Sequence, residues 1–179
     1  MTSFPSQAAL VAASIWVSGC CCPVLPQPAP SSTNPWSSFS STEGNFRASF
    51  PTKPSHTASN DGREQRYTSQ VWDGQLLLRV AYELNAGVEI SPEERLEVTT
   101  KTLGAQNVSI LPLTLQGHAG AEAIYKTREG RDTFHFRHRI YHVGETSYQV
   151  MVVVANAQRA DAEAERFFAT FELLDPSRD

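Results

Sequence analysis

No aspartate, glutamate, lysine or arginine occurs before Glu43, so all 15 basic and 19 acidic side chains lie in residues 43 to 179. Cysteine is equally confined: Cys20, Cys21 and Cys22 are consecutive and the rest of the chain has none. That excludes a disulfide framework and a thiolate metal centre in the charged body. Nowhere does an apolar run approach the roughly 20 residues a bilayer-crossing helix needs. Lysine is scarce, and a net charge of -4 with pI near 5.7 gives no electrostatic pull on phosphates, so nucleic acid is excluded as an expected partner class. Also missing are a Gly-x-Ser-x-Gly elbow, a P-loop, a dinucleotide glycine motif and a His-Glu-x-x-His helix. With them goes every strong sequence argument for catalysis; no catalytic residue, cofactor or metal site is assigned.

What is present begins with an address. Ala8 to Val17 is an uncharged, mostly apolar run of ten residues, within the roughly 7 to 15 of a signal-peptide core and too short to span a bilayer. Its exit, Val17-Ser18-Gly19-Cys20, resembles the lipobox of bacterial lipoproteins, in which an aliphatic and two small residues precede the cysteine that becomes lipidated and N-terminal. The resemblance implies a signal peptide over residues 1 to 19, a lipid anchor on Cys20, and an exported protein held on the envelope. Cys21, the residue after the anchor, is not Asp, which resembles the outer-membrane-directed class in double-membraned cells. Residues 20 to 42, rich in Pro and Ser and devoid of charge, read as a semi-stiff tether. Trp36 and Phe39 within it are expected to pack onto the domain that follows.

The body, residues 43 to 175, reads as α+β. Phe46, Ala48 and Phe50 alternate with polar residues as in a half-buried strand, stopped by Pro51 and Pro54. Asp73-Gly74 joins strands Glu64 to Trp72 and Gln75 to Leu84 as a two-residue hairpin. Ser91-Pro92-Glu93-Glu94 combines an N-cap serine, a first-turn proline and a capping-box glutamate, opening a helix to about Gly104 that buries Leu96, Thr99, Thr100 and Leu103. A four-strand meander follows over Val108 to Leu115, Ala119 to Arg128, Thr133 to Val143 and Ser147 to Val154, turning at Gly117, Gly130 and Gly144. Val150 to Val154 is apolar on both faces and demands cover on both. Ala160, Ala164, Phe167, Phe168 and Phe171 mark an amphipathic helix from Arg159 to Thr170. The expectation is a six- to seven-stranded antiparallel sheet with a helix layer on each face, an α/β/α sandwich.

The order Trp36, Phe39, Gly44-Asn45-Phe46-Arg47-Ala48-Ser49-Phe50-Pro51, Pro54, then Gly117-His118-Ala119-Gly120, Tyr148-Gln149-Val150, and Arg166-Phe167-Phe168 with Phe171 resembles an exported bacterial domain of unknown function, across residues 36 to 174. Such domains are similar to the α/β/α sandwich shared by the extrinsic P subunit of photosystem II and a small Ran-binding nuclear import factor. The resemblance implies a fold and carries no catalytic residue.

Two constellations invite chemistry. His135, His138 and His142 would align on a helix, but their neighbours are strand formers. On a strand His138 and His142 share a face with Phe134, Phe136 and Ile140, about 13 Å apart by strand rise, while His135 points away; that is too far for a shared zinc. The opposite face shows His135, Arg137, Arg139 and Tyr141, with Arg128 and Arg131 at the hairpin. These six are the candidate partner-binding patch for an envelope protein, against the alternative that the cations pair with carboxylates such as Glu122. The function this implies is a lipid-anchored, envelope-facing binding or assembly-support module without catalysis; a small-molecule carrier or small hydrolase with a pocket hidden from sequence is the alternative.

Overall fold

The computed structural model describes residues 36–60, 65–84 and 90–174; the apolar leader, Cys20 and most of the tether lie outside the described residues. Ten strands and two helices follow in order: β1 (Ser37–Ser41), β2 (Phe46–Phe50), β3 (Ser55–Asn60), β4 (Gln65–Trp72), β5 (Leu76–Leu84), α1 (Pro92–Thr102), β6 (Gln106–Leu115), β7 (His118–Glu129), β8 (Asp132–Val143), β9 (Thr146–Val154), α2 (Ala157–Phe168) and β10 (Glu172–Leu173). The strands form two antiparallel sheets, one of seven strands ordered β3-β4-β5-β9-β8-β7-β6 and one of three ordered β1-β2-β10.

This architecture corrects the expected α/β/α sandwich. Neither face of the large sheet carries a layer of helices. The front face bears Leu78, Val80 and Tyr82 of β5 with Tyr148, Val150 and Val152 of β9, and it is covered jointly by α2 and the three-stranded sheet. Among the described residues the back face is covered by α1, lying over β6, β7 and β8. Helices of 11 and 12 residues are about 17 Å long, too little to roof seven strands. The missing cover is a second sheet: Ser37–Ser41, read as the end of the tether, is β1, and β10 returns to pair with β2. The unpredicted β3 is a polar edge strand paired with β4.

Aromatic packing fixes the small sheet. Phe46, Ala48 and Phe50 are wholly buried, as alternation requires of an inward face. Phe50 meets Phe167 of α2 at 5.3 Å, and Phe46 meets Tyr82 and Phe171 at 5.9 Å each. Phe39 packs on Phe46 and Phe50, and Trp36 on Phe167, so both aromatics from the tether belong to this core. The Tyr148 hydroxyl donates to the Gly44 carbonyl at 2.8 Å.

Local signals placed the helices well. Ser91 caps α1 with both bonds of the capping box formed, and α2 starts at an Asn156 cap. Leu96 and Thr100 are buried, but Leu103 ends α1 as its C-cap and is 48% exposed. The β4–β5 turn is centred one residue later than expected, on Gly74-Gln75: Asp73 pairs with Leu76 through its backbone N–H, and its carboxylate accepts from the N–H groups of Gln75 and Leu76.

Candidate functional site

Strand register sorts the β7–β8 hairpin into two faces. Glu122 lies opposite Arg139, Ile124 opposite Arg137, Lys126 opposite His135 and Arg128 opposite Thr133, so these side chains share the front face. Glu129 and Asp132, also a register pair, fall on the back. Cations and Glu122 thus share the front face, which divides into an inner and an outer part.

The inner part is structural. Arg137 is buried and its Nε contacts Glu122, while Nη1 and Nη2 reach Asp161 at 3.3 Å and Glu165 at 3.0 Å on α2. Arg139 Nε donates to the other Glu122 oxygen at 2.8 Å, and its guanidinium lies 3.9 Å from the Phe168 ring centroid. Burial opposes the Arg137 charge, but Glu122 and Glu165 outweigh it and hold the guanidinium more firmly protonated than usual. Tyr141 is buried and stacked on Phe171, and burial raises its hydroxyl pKa. Arg137 and Arg139 fasten α2 to the sheet, and Tyr141 packs on Phe171 just beyond its end. Because Arg137 and Glu122 are both deeply enclosed, removing either partner would strand the other charge.

The outer part is chemically available. Among the described residues, Arg47, Arg95, Arg137, Arg139 and Arg159 are ion-paired, Arg166 stacks over Trp36 at 4.1 Å, and Arg79 is also engaged. Arg128 and Arg131 have no ion pair or side-chain hydrogen bond there, and neither do their neighbours Lys126 and His135. Lys101, likewise without one, sits in the last turn of α1, where the helix dipole favours it. Beside Lys126 and His135 a cleft of about 280 Å³ opens, its other walls including Ile124, Arg137, Ala157, Ala160 and Asp161. The structure thus gathers Lys126, Arg128 and His135 on one face, with Arg131 in the adjoining turn. Lys126 was missed by sequence reading, although its even spacing from Arg128 signalled the shared face.

A second polar group lies on the back face. Register sets Glu83 opposite Ser147 and Ser147 opposite His142, with Arg79 opposite Met151 and Met151 opposite His138. Arg95 of α1 contacts Glu83, and the Gln149 amide lies 3.5 Å from the same carboxylate. Burial, reinforced by the positive charges of Arg79 and Arg95, lowers the His138 pKa to about 4, against a smaller opposing effect of Gln149. Burial and Arg95 also lower His142. Neither His138 nitrogen makes a hydrogen bond of normal geometry, and His142 Nε2 and Ser147 Oγ share that condition.

Serine, histidine and acid are neighbours, but Ser147 stands between the other two and is fully buried. Glu83 is thus not placed to orient His142 as a general base, which nucleophilic activation requires. Among the described residues no three His, Cys, Asp or Glu side chains converge as a metal site, and no helix is long and apolar enough to cross a membrane.

No protein-family model and no curated protein matches the chain. Among solved structures it is similar to a Bacteroides thetaiotaomicron protein, with 16% identity and a TM-score of 0.49 over 79% of this chain and 49% of the other. The chain thus spans about half the length of that protein. It is also similar to a Pseudomonas aeruginosa protein of unknown function, with 11% identity and a TM-score of 0.43 over 73% and 90%.

Proposed function

We propose that this chain is a lipid-anchored, envelope-facing binding or assembly-support module without catalytic chemistry, and that it meets its partner through the outer end of the β7–β8 hairpin. The observation that carries the reading is selective: among the arginines whose side chains are described, all but Arg128 and Arg131 are engaged, and these two stand together with Lys126 and His135. Ion pairs on a solvated surface are easily formed where acids are near, so a cluster left without them is a surface kept for an external acid. The lipobox-like Val17-Ser18-Gly19-Cys20 and the uncharged, Pro-rich stretch after it supply the anchor and spacer.

In-cell photo-crosslinking tests this. A crosslinking residue at Thr133 or Ile124, on the same face as Lys126, Arg128 and His135, should capture one reproducible envelope protein, and the same residue at Leu103 should not. Background at every position would refute the binding reading. Fractionation tests the anchor separately: Cys20→Ser should move the protein from the membrane to the soluble fraction, and persistent membrane association would refute lipidation.

A further inference from the structure

Resting on that reading, we infer that the cleft between the start of α2 and the β7–β8 hairpin receives a carboxylate carried by an acidic protein segment, with Lys126 and His135 as its anchors and Asp161 as the resident carboxylate it displaces from Arg137.

The walls of the cleft define the ligand. Lys126 and His135 are directly opposed across the strands, so a lysine ammonium and an imidazole N–H stand where both can donate to one anion. Ala157 and Ala160 of α2 leave the space a longer side chain would fill. The first turn of α2 contains no acid, whereas that of α1 holds Glu93 and Glu94, so the positive end of the α2 dipole is not offset within its own helix. At about 280 Å³ the cleft lies at the lower limit of small-molecule pockets and suits a single side chain.

A carboxylate already occupies its rim. Asp161 reaches Arg137 at 3.3 Å with a side chain that is 83% exposed, so this contact contributes little and exchanges at small cost. Arg137 keeps Glu122 and Glu165 throughout, which leaves α2 fastened while Asp161 is displaced.

Surroundings of the cleft favour a polypeptide over a free anion. Arg128 and Arg131 continue the basic surface at the hairpin end. Toward the other end Ile124 is 39% and Leu111 57% exposed, one register step apart on the same face because Leu111 opposes Glu122 and Ser109 opposes Ile124. A small anion in the cleft would reach Ile124, which lines it, but neither Leu111 nor the arginines at the hairpin end. An extended segment carrying acids and an apolar side chain touches both.

The test uses the purified full-length chain and a fluorescein-labelled Glu-Leu-Glu-Glu-Leu-Glu peptide, followed by anisotropy at low salt. Lys126→Ala and His135→Ala should each weaken binding roughly three- to tenfold. Asp161→Asn should tighten it about threefold, a direction that damage to the fold does not produce. The matching Gln-Leu-Gln-Gln-Leu-Gln peptide should bind at least about tenfold more weakly. Unchanged or weaker binding by Asp161→Asn, or equal affinity for the Gln peptide, would overturn the proposal. Sodium acetate at the same carboxylate concentration should leave the peptide bound; displacement by acetate would assign the cleft to a free small anion and overturn the polypeptide assignment. If Thr133 and Ile124 crosslinks persist undiminished in the Lys126→Ala chain, the cleft assignment fails while the binding module stands. If the peptide binds as described but no envelope protein is captured, the module reading fails instead.

Discussion

His138 illustrates how a single buried residue couples stability to pH. Its imidazole is 3% exposed, on the side of the sheet facing Arg79 and Arg95, so the folded protein holds it neutral to about pH 4, while the unfolded chain takes up the proton near 6.5. Between those values the unfolded state binds more protons, and stability therefore falls as pH drops from about 6.5 to about 4, then levels off. A shift of that span corresponds to roughly 3 kcal/mol. His138→Leu removes both the titration and two ring nitrogens that lack hydrogen bonds, so it should unfold at higher urea than the parent at pH 5, with a smaller gap at pH 7.5. Equal midpoints for the two proteins at pH 5 would show that the imidazole is solvated in the native state. The two histidines of β8 differ by strand alternation alone: His138 is enclosed on the face that α1 covers, whereas His135 faces the open cleft.

Between elements, β7 and β8 pack tightly at Gly120. A Cβ built there would lie 2.5 Å from Tyr141 Cδ1 and 2.7 Å from the Ile140 carbonyl oxygen, and the carbonyl is backbone that cannot rotate aside. Gly120→Ala should therefore force the two strands apart and cost about 1–3 kcal/mol, measured as a lowered urea midpoint, whereas Gly130→Ala in the turn meets only its positive φ of 60° and should cost about 1 kcal/mol. Equal effects would show that the strands yield. Gly117-His118-Ala119-Gly120 was visible in the sequence as a tight glycine turn, but the reason for its last glycine lies in Tyr141, twenty-one positions away. That contrast sets what could be read beforehand. The capping box of α1, the apolar alternation of β9 and the amphipathic stripe of α2 are local patterns, and they emerged nearly in place. β1 and β3 are Ser-rich and polar, so their sequences carry no strand signature. The cationic row of β8 was legible, including its pairing with Glu122; its reach to Asp161 and Glu165 was not, because that depends on where α2 docks. The back-face group depends on docking in the same way: Glu83 meets Arg95 only where α1 lies over the sheet.

For the molecule as a whole, the decisive departure from the expected sandwich is the small sheet, and its existence depends on the last strand. β10 has only two residues, yet Leu173 is 9% exposed and opposes Phe46 in the register. The Gln116 side chain both donates to the Leu173 carbonyl at 3.0 Å and accepts from its N–H at 2.7 Å, and the Leu174 N–H donates to the Asn45 carbonyl at 2.8 Å. Arg47 and Glu172 also pair at 2.7 Å, but both are about half exposed, so that bond adds little. Through Phe46, whose ring meets both Tyr82 and Phe171, the small sheet and the large one share one apolar cluster. A chain ending at Phe171 loses the Leu173 side chain, worth about 1.5–3 kcal/mol when buried, and leaves backbone groups of β2 without partners at about 1 kcal/mol each. Because the cluster is continuous, that loss should lower the midpoint of a single cooperative transition, with hydrogen exchange accelerating in β5 and β9 as well as in β1 and β2. Fast exchange confined to β1 and β2, with the midpoint unchanged, would instead make the small sheet an appendage. In that outcome the front-face cover would rest on α2 alone, and the Arg137 contacts to Glu122, Asp161 and Glu165 would be its principal polar fastening.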